Sequence, residues 1–376
     1  MKELKLLQII PSLESGGVEQ GTIDVANYLC DKDIESCIIS SGGKMLRNIN
    51  FKKTKHFKLP VHSKNPITMI LNIKKIKKII LENKINLVHV RSRAPAWSTY
   101  YATKNTCNLT STFHNVYGHE NILKKYYNLG LSKAKKIVAI SEFVKNSISE
   151  IYKIDSNKIT VIHRGVDTNI FDPSIKDEKN FSNFFSTFSI PSDKKIILYP
   201  GRLTNWKGQV KFLDVLNSLN QNNFICYFVG EDNNINYKKK LEKEILKKKL
   251  QRHCQIVGNI SSENMRLFYK SSDVIISAPL KPEGFCRVVT EALAMKKVVL
   301  CYNFGGPKEQ ISNLNEFYGV RPFNQMEMIE KIEKSFKFSK NIKTKMGNEA
   351  RDYIKNKFEK KIMVENYIKF FKKNIS

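Results

Sequence analysis

Two acids and two bases stand out for their spacing. Glu283 and Glu291 have seven residues between them inside KPEGFCRVVTEALAMK (281–296), and Arg202 and Lys207 share PGRLTNWKG (200–208). DVIISAP before the first of these stretches and VVLCYN after it have the apolar character of strands, so the unit reads strand, loop, helix, strand. Glu283 then lies in a loop and Glu291 about two turns into the helix, with the carboxylates ~12 Å apart along its axis. That is too far for a pair of hydrolytic carboxylates, which needs roughly 5–9.5 Å. It suits two contacts on one extended ligand, with the helix start at Phe285–Arg287 offering backbone N–H groups to an anion between them. Arg202 and Lys207 fit a diphosphate clamp, the guanidinium bidentate and the ammonium a point charge. Read singly, each residue has a plainer meaning. One Glu is a turn residue or a solvated helix face, and two basic residues in a loop are ordinary in a chain with 64 Lys and Arg.

The elements that must position these residues alternate through the chain. LKLLQIIPSL (4–13) reads as a buried parallel strand. Gly16 and Gly17 follow it in a turn that permits positive φ and close backbone approach before a helix. Strands are expected at 34–41, 54–59, 86–92, 109–115, 136–143 and 158–167, with helices at 66–83 and 94–104. Ser141 or Glu142 caps the helix after 136–143. His114 ends its strand, as a polar contact or as a satisfied strand-end histidine. A polar stretch, 168–194, breaks the pattern and reads as connector plus a small excursion. Alternation resumes with strands at 194–203, 224–231, 254–260, 273–279 and 298–303. Helices begin near 206, 237 and 262, and the chain beyond GGPKE (305–309) is helical at 325–338, 341–357 and 359–371. The expected fold class is α/β, two doubly wound Rossmann-like domains facing across a cleft, with ligands at strand carboxyl ends. The domains are 1–170, a linker 171–193, and 194–355, with a C-terminal helix, 356–376, packing back toward the first domain.

Composition narrows the partners. The net charge is +29 over 376 residues, which favours anions: nucleic acid, phosphorylated ligands or an acidic membrane surface. A lysine-rich genome is the plain alternative. Seven scattered cysteines without CxxC spacing argue for a reducing compartment and against zinc or a disulfide framework. The N-terminus lacks a signal-peptide pattern, and no apolar run reaches the roughly 18 residues of a membrane span. A cytoplasmic protein, at most peripheral on the inner face of a membrane, is expected. Asp31 and Asp33 end a helix and read as surface charge rather than a metal site.

Together, PGRLTNWKG, PEGFCRVVTEALA and GGPKE resemble the retaining family-4 glycosyltransferases of the GT-B class. The resemblance covers nearly the whole chain, with GGVE (16–19), AISEFVK (139–145) and HRGVDTNIFDP (163–173) adding to it. It implies transfer of a sugar from a nucleoside diphosphate to an acceptor hydroxyl, with retention and no metal cofactor. Arg202 and Lys207 would hold the diphosphate, Glu291 the ribose, and Glu283 the transferred sugar. Backbone N–H groups of Phe285, Cys286 and Arg287 would meet the distal phosphate, Gly284 beside them would also line the donor site, and Val257, Gly258 and Asn259 would meet the nucleobase. Gly16, Gly17 and His114 would face the donor from the first domain. The acceptor implied is a lipopolysaccharide or other cell-envelope glycan, reached at an anionic membrane through basic helices such as 66–83 and the Lys124–Tyr127 stretch. Two departures are noted. Cys286 stands where the family usually has Gly, which puts the backbone approach to phosphate in question, and His163-Arg164 replaces Pro-Asn. Rival readings are another GT-B enzyme, such as a sugar-nucleotide epimerase, and a basic nucleic-acid-binding protein. Against the second, the lysines are dispersed over helices and lack an aromatic platform.

Overall fold

The computed structural model describes residues 3–14, 16–176, 178–220 and 223–375, which divide into two compact units. One runs to Gly165 and takes back the chain from Lys361; the other is Val166–Lys360.

In the first unit the strands are β1 (Leu6–Ile9), β2 (Ser36–Ser40), β3 (Thr54–Lys58), β4 (Leu87–Val90), β5 (Asn108–Phe113), β6 (Lys136–Ala139) and β7 (Ile159–Val161). They form one parallel sheet in the order β3-β2-β1-β4-β5-β6-β7. The order reverses between β1 and β4, and the carboxyl ends flanking that point are where ligands collect in such sheets. β1 is buried along its length, because helices cover both faces of a parallel sheet. Those helices are α1 (Gly17–Asp31), α2 (Pro66–Glu82), α3 (Arg93–Thr103), α4 (Ile122–Ser132) and α5 (Glu142–Tyr152). Of the two candidate caps for α5, Ser141 serves: its side chain accepts from the Val144 N–H. Gln8, a polar residue inside the sheet, is hydrogen-bonded through both ends of its amide. Gln8 accepts from Arg91 Nε at 2.7 Å and donates to the Thr22 carbonyl at 3.0 Å.

The second unit begins with α6 (Glu178–Thr187), inside the stretch expected to be connector. Its Phe184, and Phe188 just beyond its end, pack against Phe268 at ring separations of 4.8 and 5.0 Å. The signal was present as aromatics at helical spacing, Phe181, Phe184, Phe185 and Phe188, but surrounding polar residues masked it. The sheet is β8 (Lys195–Pro200), β9 (Phe224–Val229), β10 (Cys254–Gly258), β11 (Val274–Ser277), β12 (Val299–Tyr302) and β13 (Gly319–Val320), ordered β10-β9-β8-β11-β12-β13 and parallel throughout. Here the reversal falls between β8 and β11. Helices α7 (Gln209–Asn217), α8 (Ile235–Lys247), α9 (Ser262–Ser271), α10 (Arg287–Ala294), α11 (Gly306–Ile311), α12 (Gln325–Phe336) and α13 (Lys340–Lys357) complete it. The lysine-rich α8 is amphipathic, with Tyr237, Leu241 and Ile245 buried and its lysines toward solvent. Arg351 of α13 is buried and donates to the carbonyls of Phe171 and Thr168, with an ion pair to Asp172 at 3.0 Å.

The last helix, α14 (Lys360–Lys372), belongs from Lys361 onward to the first unit. Met363, Val364, Tyr367 and Phe371 share a core with Leu6, Val25, Leu87 and Val138.

Candidate functional site

The switch point of the second unit decides which side chains meet. β8 and β11 are hydrogen-bonded neighbours, so the loop leaving one lies beside the loop leaving the other. Lys207 ends a short 3₁₀ turn, Asn205–Lys207, closed by Gly208 at φ 84°. A Cβ on Gly208 would lie 2.4 Å from the Ala278 carbonyl oxygen, so only glycine lets the loops press together. Tyr199 Oη donates to the Lys207 carbonyl at 2.6 Å, and the Leu280 N–H donates to the Trp206 carbonyl at 2.7 Å. Across this joint Lys207 Nζ donates to Glu283 Oε1 at 2.8 Å, with the two side chains 13% and 9% exposed. Burial works to lower the Lys207 pKa, but the charge and hydrogen bond of Glu283 work against it and the net shift is upward. The ammonium is therefore kept, and its Nζ also lies 4.7 Å from the Trp206 ring.

GGPKE acts as a clamp on the Glu283 backbone. The Gly306 N–H donates to the Glu283 carbonyl at 2.8 Å. A Cβ on Gly306 would sit 2.3 Å from the Gly284 carbonyl oxygen, and one on Gly305, at φ 62°, 2.7 Å from that of Glu283.

Beyond Glu283 the structure corrects the expected helix start. α10 begins at Arg287 with Cys286 as its N-cap, so Glu291 lies one turn in rather than two. The Cys286 N–H donates to Gln310 Oε1 at 3.1 Å, while Gln310 Nε2 donates to the Cys286 carbonyl at 2.9 Å. Of the three N–H groups expected to face an anion, this one is committed inside the protein. Cys286 is fully buried, its Sγ 3.2 Å from Ser277 Oγ. Burial, then Glu283, pushes its thiol up to about 11. Its φ of −101° suits any residue, so the backbone does not demand glycine there.

Glu291 is buried and held from two sides. Oε2 accepts from Tyr269 Oη at 2.9 Å, and Oε1 accepts from Arg287 Nε and Nη2 at 3.0 and 2.7 Å. Arg202 behaves differently from Lys207. Its carbonyl is pinned by Gln209 Nε2 at 2.9 Å, but its side chain is exposed and makes no hydrogen bond or ion pair among the described residues. Val257, Gly258 and Asn259 end β10 at a register shift, with Gly258 at φ 83° and its carbonyl accepting from the Gly230 N–H at 2.8 Å. Such a bulge re-aims the strand end.

Gly16, Gly17 and His114 belong to the first unit. Gly16, at φ 120°, is the N-cap of α1 and Gly17 its first residue. His114 follows β5; its Nδ1 lies 3.5 Å from Arg164 Nη1, and its Nε2 is buried without a partner. Burial, then Arg164 and Arg91, holds its pKa well below the usual value. The ring is neutral; since a guanidinium only donates, Nδ1 accepts and Nε2 carries the proton. Arg164, half of the His163-Arg164 departure, thus sets the histidine tautomer.

Sequence reasoning missed Gln310, Tyr269 and Gln209. Gln310 directly follows GGPKE, and that adjacency was its only local mark. Tyr269 sits in an apolar helix face and reads as core.

Models of two families divide the chain between them: Glycosyltransferase Family 4 over residues 15–170 and Glycosyl transferases group 1 over residues 180–353. A glycosyltransferase of Rickettsia africae ESF-5, known from its crystal structure, is 38% identical, with 99% of each chain covered and a TM-score of 0.89. The lipopolysaccharide 1,2-N-acetylglucosaminetransferase of Salmonella typhimurium is 24% identical over 60% of this chain and 63% of that protein. HepE from Anabaena, in complex with UDP-glucose, is 17% identical with a TM-score of 0.82 over 99% of this chain and 100% of that one, a likeness of fold. The chain belongs to the group 1, family 4 glycosyltransferases of the GT-B fold.

Proposed function

We propose that this protein is a retaining hexosyltransferase that moves a sugar from a nucleoside-diphosphate sugar to a hydroxyl of a lipopolysaccharide or other cell-envelope glycan. The observation that carries the reading is the Lys207–Glu283 pair at the β8–β11 switch point, a fixed buried cation beside a fixed carboxylate. Lys207 and the exposed guanidinium of Arg202 meet the diphosphate, with Phe285 and the start of α10 behind its distal phosphate. The ammonium has three donors, so it serves Glu283 and a phosphate oxygen together. Glu283 then faces the transferred sugar, Glu291 the ribose hydroxyls, and the 257–259 backbone the base. In the first unit, Gly16 and Gly17 provide backbone approach, and the His114 Nε2–H is a donor for a sugar oxygen.

The barrier is charge developing on the departing diphosphate, and fixed cations stabilise it without reorganising. The C1–O bond to phosphate breaks, the acceptor oxygen attacks the same face, and its proton passes to the departing phosphate oxygen. No second carboxylate and no metal ion is needed in that scheme. The Salmonella relative's activity supports a cell-envelope acceptor, and the UDP-glucose complex of HepE supports a nucleotide-sugar donor. Seven free cysteines support work in the reducing cytoplasm. Incubation with a panel of UDP-, GDP- and ADP-sugars tests the reading. One donor should raise the melting temperature and be slowly hydrolysed to the α-configured sugar from an α-configured donor. Protection by none of them, or inversion at the anomeric carbon, refutes it.

A further inference from the structure

One turn of the second unit carries a strained aromatic residue that donor chemistry does not use. After β13 the chain turns through Arg321, Pro322, Phe323 and Asn324 before entering α12, and the Asn324 N–H donates to the Arg321 carbonyl at 3.0 Å. Proline at the second place of such a turn and positive φ at the third make a pattern that glycine fills without cost. Here the third place holds Phe323, at φ 65°. The turn is pinned on both sides. Glu327 Oε2 accepts from the N–H and the Nε of Arg321 at 3.1 and 2.9 Å, and Asn324 caps α12 by accepting from the Glu327 N–H. Burial does not offset the strain, because Phe323 is 55% exposed. Strain held in an exposed side chain points to a use for that side chain.

Phe323 completes a cluster of rings at the carboxyl ends of β12 and β13. Tyr302 ends β12; its ring lies 5.4 Å from that of Phe323 and 5.9 Å from that of Phe304, and those two are 6.0 Å apart, all edge-on. Phe304 directly precedes Gly305, where a Cβ would lie 2.9 Å from Pro282 Cβ. The cluster therefore abuts the loop that carries Glu283. Strand order places it further: the sheet runs β10-β9-β8-β11-β12-β13. With the base at the end of β10, the diphosphate at the loop after β8 and the transferred sugar at the loop after β11, the rings come next, beyond the sugar and away from the base. Exposed Asn303 stands between Tyr302 and Phe304, and exposed Lys211 shares a small recess with Tyr302 and Phe323. Aromatic rings with an amide and an ammonium beside them match a pyranose, whose C–H face is apolar and whose rim is hydroxyl.

We propose that Tyr302, Phe304 and Phe323 form a stacking subsite for one sugar ring of the acceptor glycan, inward from the residue that receives the new sugar. The subsite rests on the glycosyltransfer reading above, and it calls for an acceptor of two or more sugar rings. The exposed Phe323 ring meets the C–H face of that sugar, and Asn303 and Lys211 donate to its hydroxyls. A ring already fixed by its turn loses little freedom on binding, so the strain of the turn is offset by affinity for glycan.

Saturation-transfer NMR of the full chain with oligosaccharides released from lipopolysaccharide cores and from capsules tests it. In the wild type, the ring C–H protons of one sugar in a bound oligosaccharide should receive saturation from aromatic protons. Phe323→Gly should weaken binding of that oligosaccharide roughly tenfold, and raise its KM in transfer by a similar factor with the loss falling on KM rather than kcat. Phe323→Tyr should keep both. Phe323→Gly suits the turn, so relief of strain offsets the packing lost and the variant should melt within a few degrees of wild type; Phe323→Asn, which also accepts positive φ, is the second variant. Both should keep the donor-induced rise in Tm. Arg202→Ala should bind the oligosaccharide as wild type does whether or not it turns over donor, which tells failure of the subsite from failure of the donor reading. No saturation from any oligosaccharide, or wild-type affinity in both Phe323→Gly and Phe323→Asn, would overturn the proposal. So would a fall in Tm of roughly 10 °C or more in Phe323→Gly, which would give the ring to the fold. Vesicle binding or a dimer that depends on Phe323, in place of glycan binding, would overturn it too.

Discussion

Replacing Lys207 by methionine removes a charge and keeps most of the side-chain volume. As a loop lysine it would be expected to matter for turnover and not for folding. Its pairing with Glu283 at 2.8 Å, both side chains nearly out of solvent, changes that expectation. Removing one member of a buried pair strands the other charge, at about 3–5 kcal/mol. Glu283 keeps a little exposure, so the lower figure, about 3 kcal/mol, is expected at neutral pH. For a unit of this size that is a fall in Tm of roughly 6–12 °C. Lys207→Met with Glu283→Gln should recover most of the loss, since no charge is then stranded, and the two substitutions should be strongly non-additive. Both variants should be inactive. Urea unfolding, with nucleotide-sugar turnover in parallel, measures all of this. A single variant within about 0.5 kcal/mol of wild type, or a double variant as unstable as the sum of the two singles, refutes the reasoning.

Three further outcomes are expected. Glu291→Ala frees Tyr269 Oη and Arg287 from their acceptor and should abolish protection by UDP or GDP; unchanged nucleotide affinity in a titration would contradict the ribose role. Gly306→Ala puts a methyl 2.3 Å from a backbone carbonyl that cannot yield, so about 2 kcal/mol or more of stability and the donor-induced rise in Tm should be lost, as thermal scans would show. The third concerns pH. Burial, then neighbouring cations, lowers the pKa of His89 and His114 well below the ordinary value, and that of His56 to a lesser degree. The unfolded chain binds those protons near pH 6.5 and the folded one resists them, so stability is full above that pH. It should fall as pH drops below it, by up to about 1.4 kcal/mol per pH unit for each histidine that stays neutral. Denaturation at a series of pH values, with His114→Gln flattening part of the slope, checks the sign.

The alternation of strand and helix was legible because each strand of a covered parallel sheet is a local apolar run, as β1 and β12 are. The helix α6 escaped because its apolar positions are phenylalanines in an otherwise polar stretch, and Phe184 serves a distant partner, Phe268. Glu291 was legible by spacing, but Tyr269, which holds it, was not. A hydrogen bond between residues 22 apart leaves no pattern in composition or periodicity.

What the sequence by itself determined is the set of candidate side chains and the motifs that carry them, because residue type and spacing are local properties. Arg202, Lys207, Glu283, Glu291 and the GGPKE glycines follow from that reading. What only the tertiary structure decided is how these groups spend their charge. Strand order β8–β11 brings Lys207 and Glu283, 76 residues apart, into one buried ion pair, while Arg202, two residues beyond the end of β8, stays in solvent. The same packing turns Cys286 inward and ties its peptide to Gln310. Those pairings depend on which strand ends are neighbours, and neighbourhood is a property of the assembled sheet.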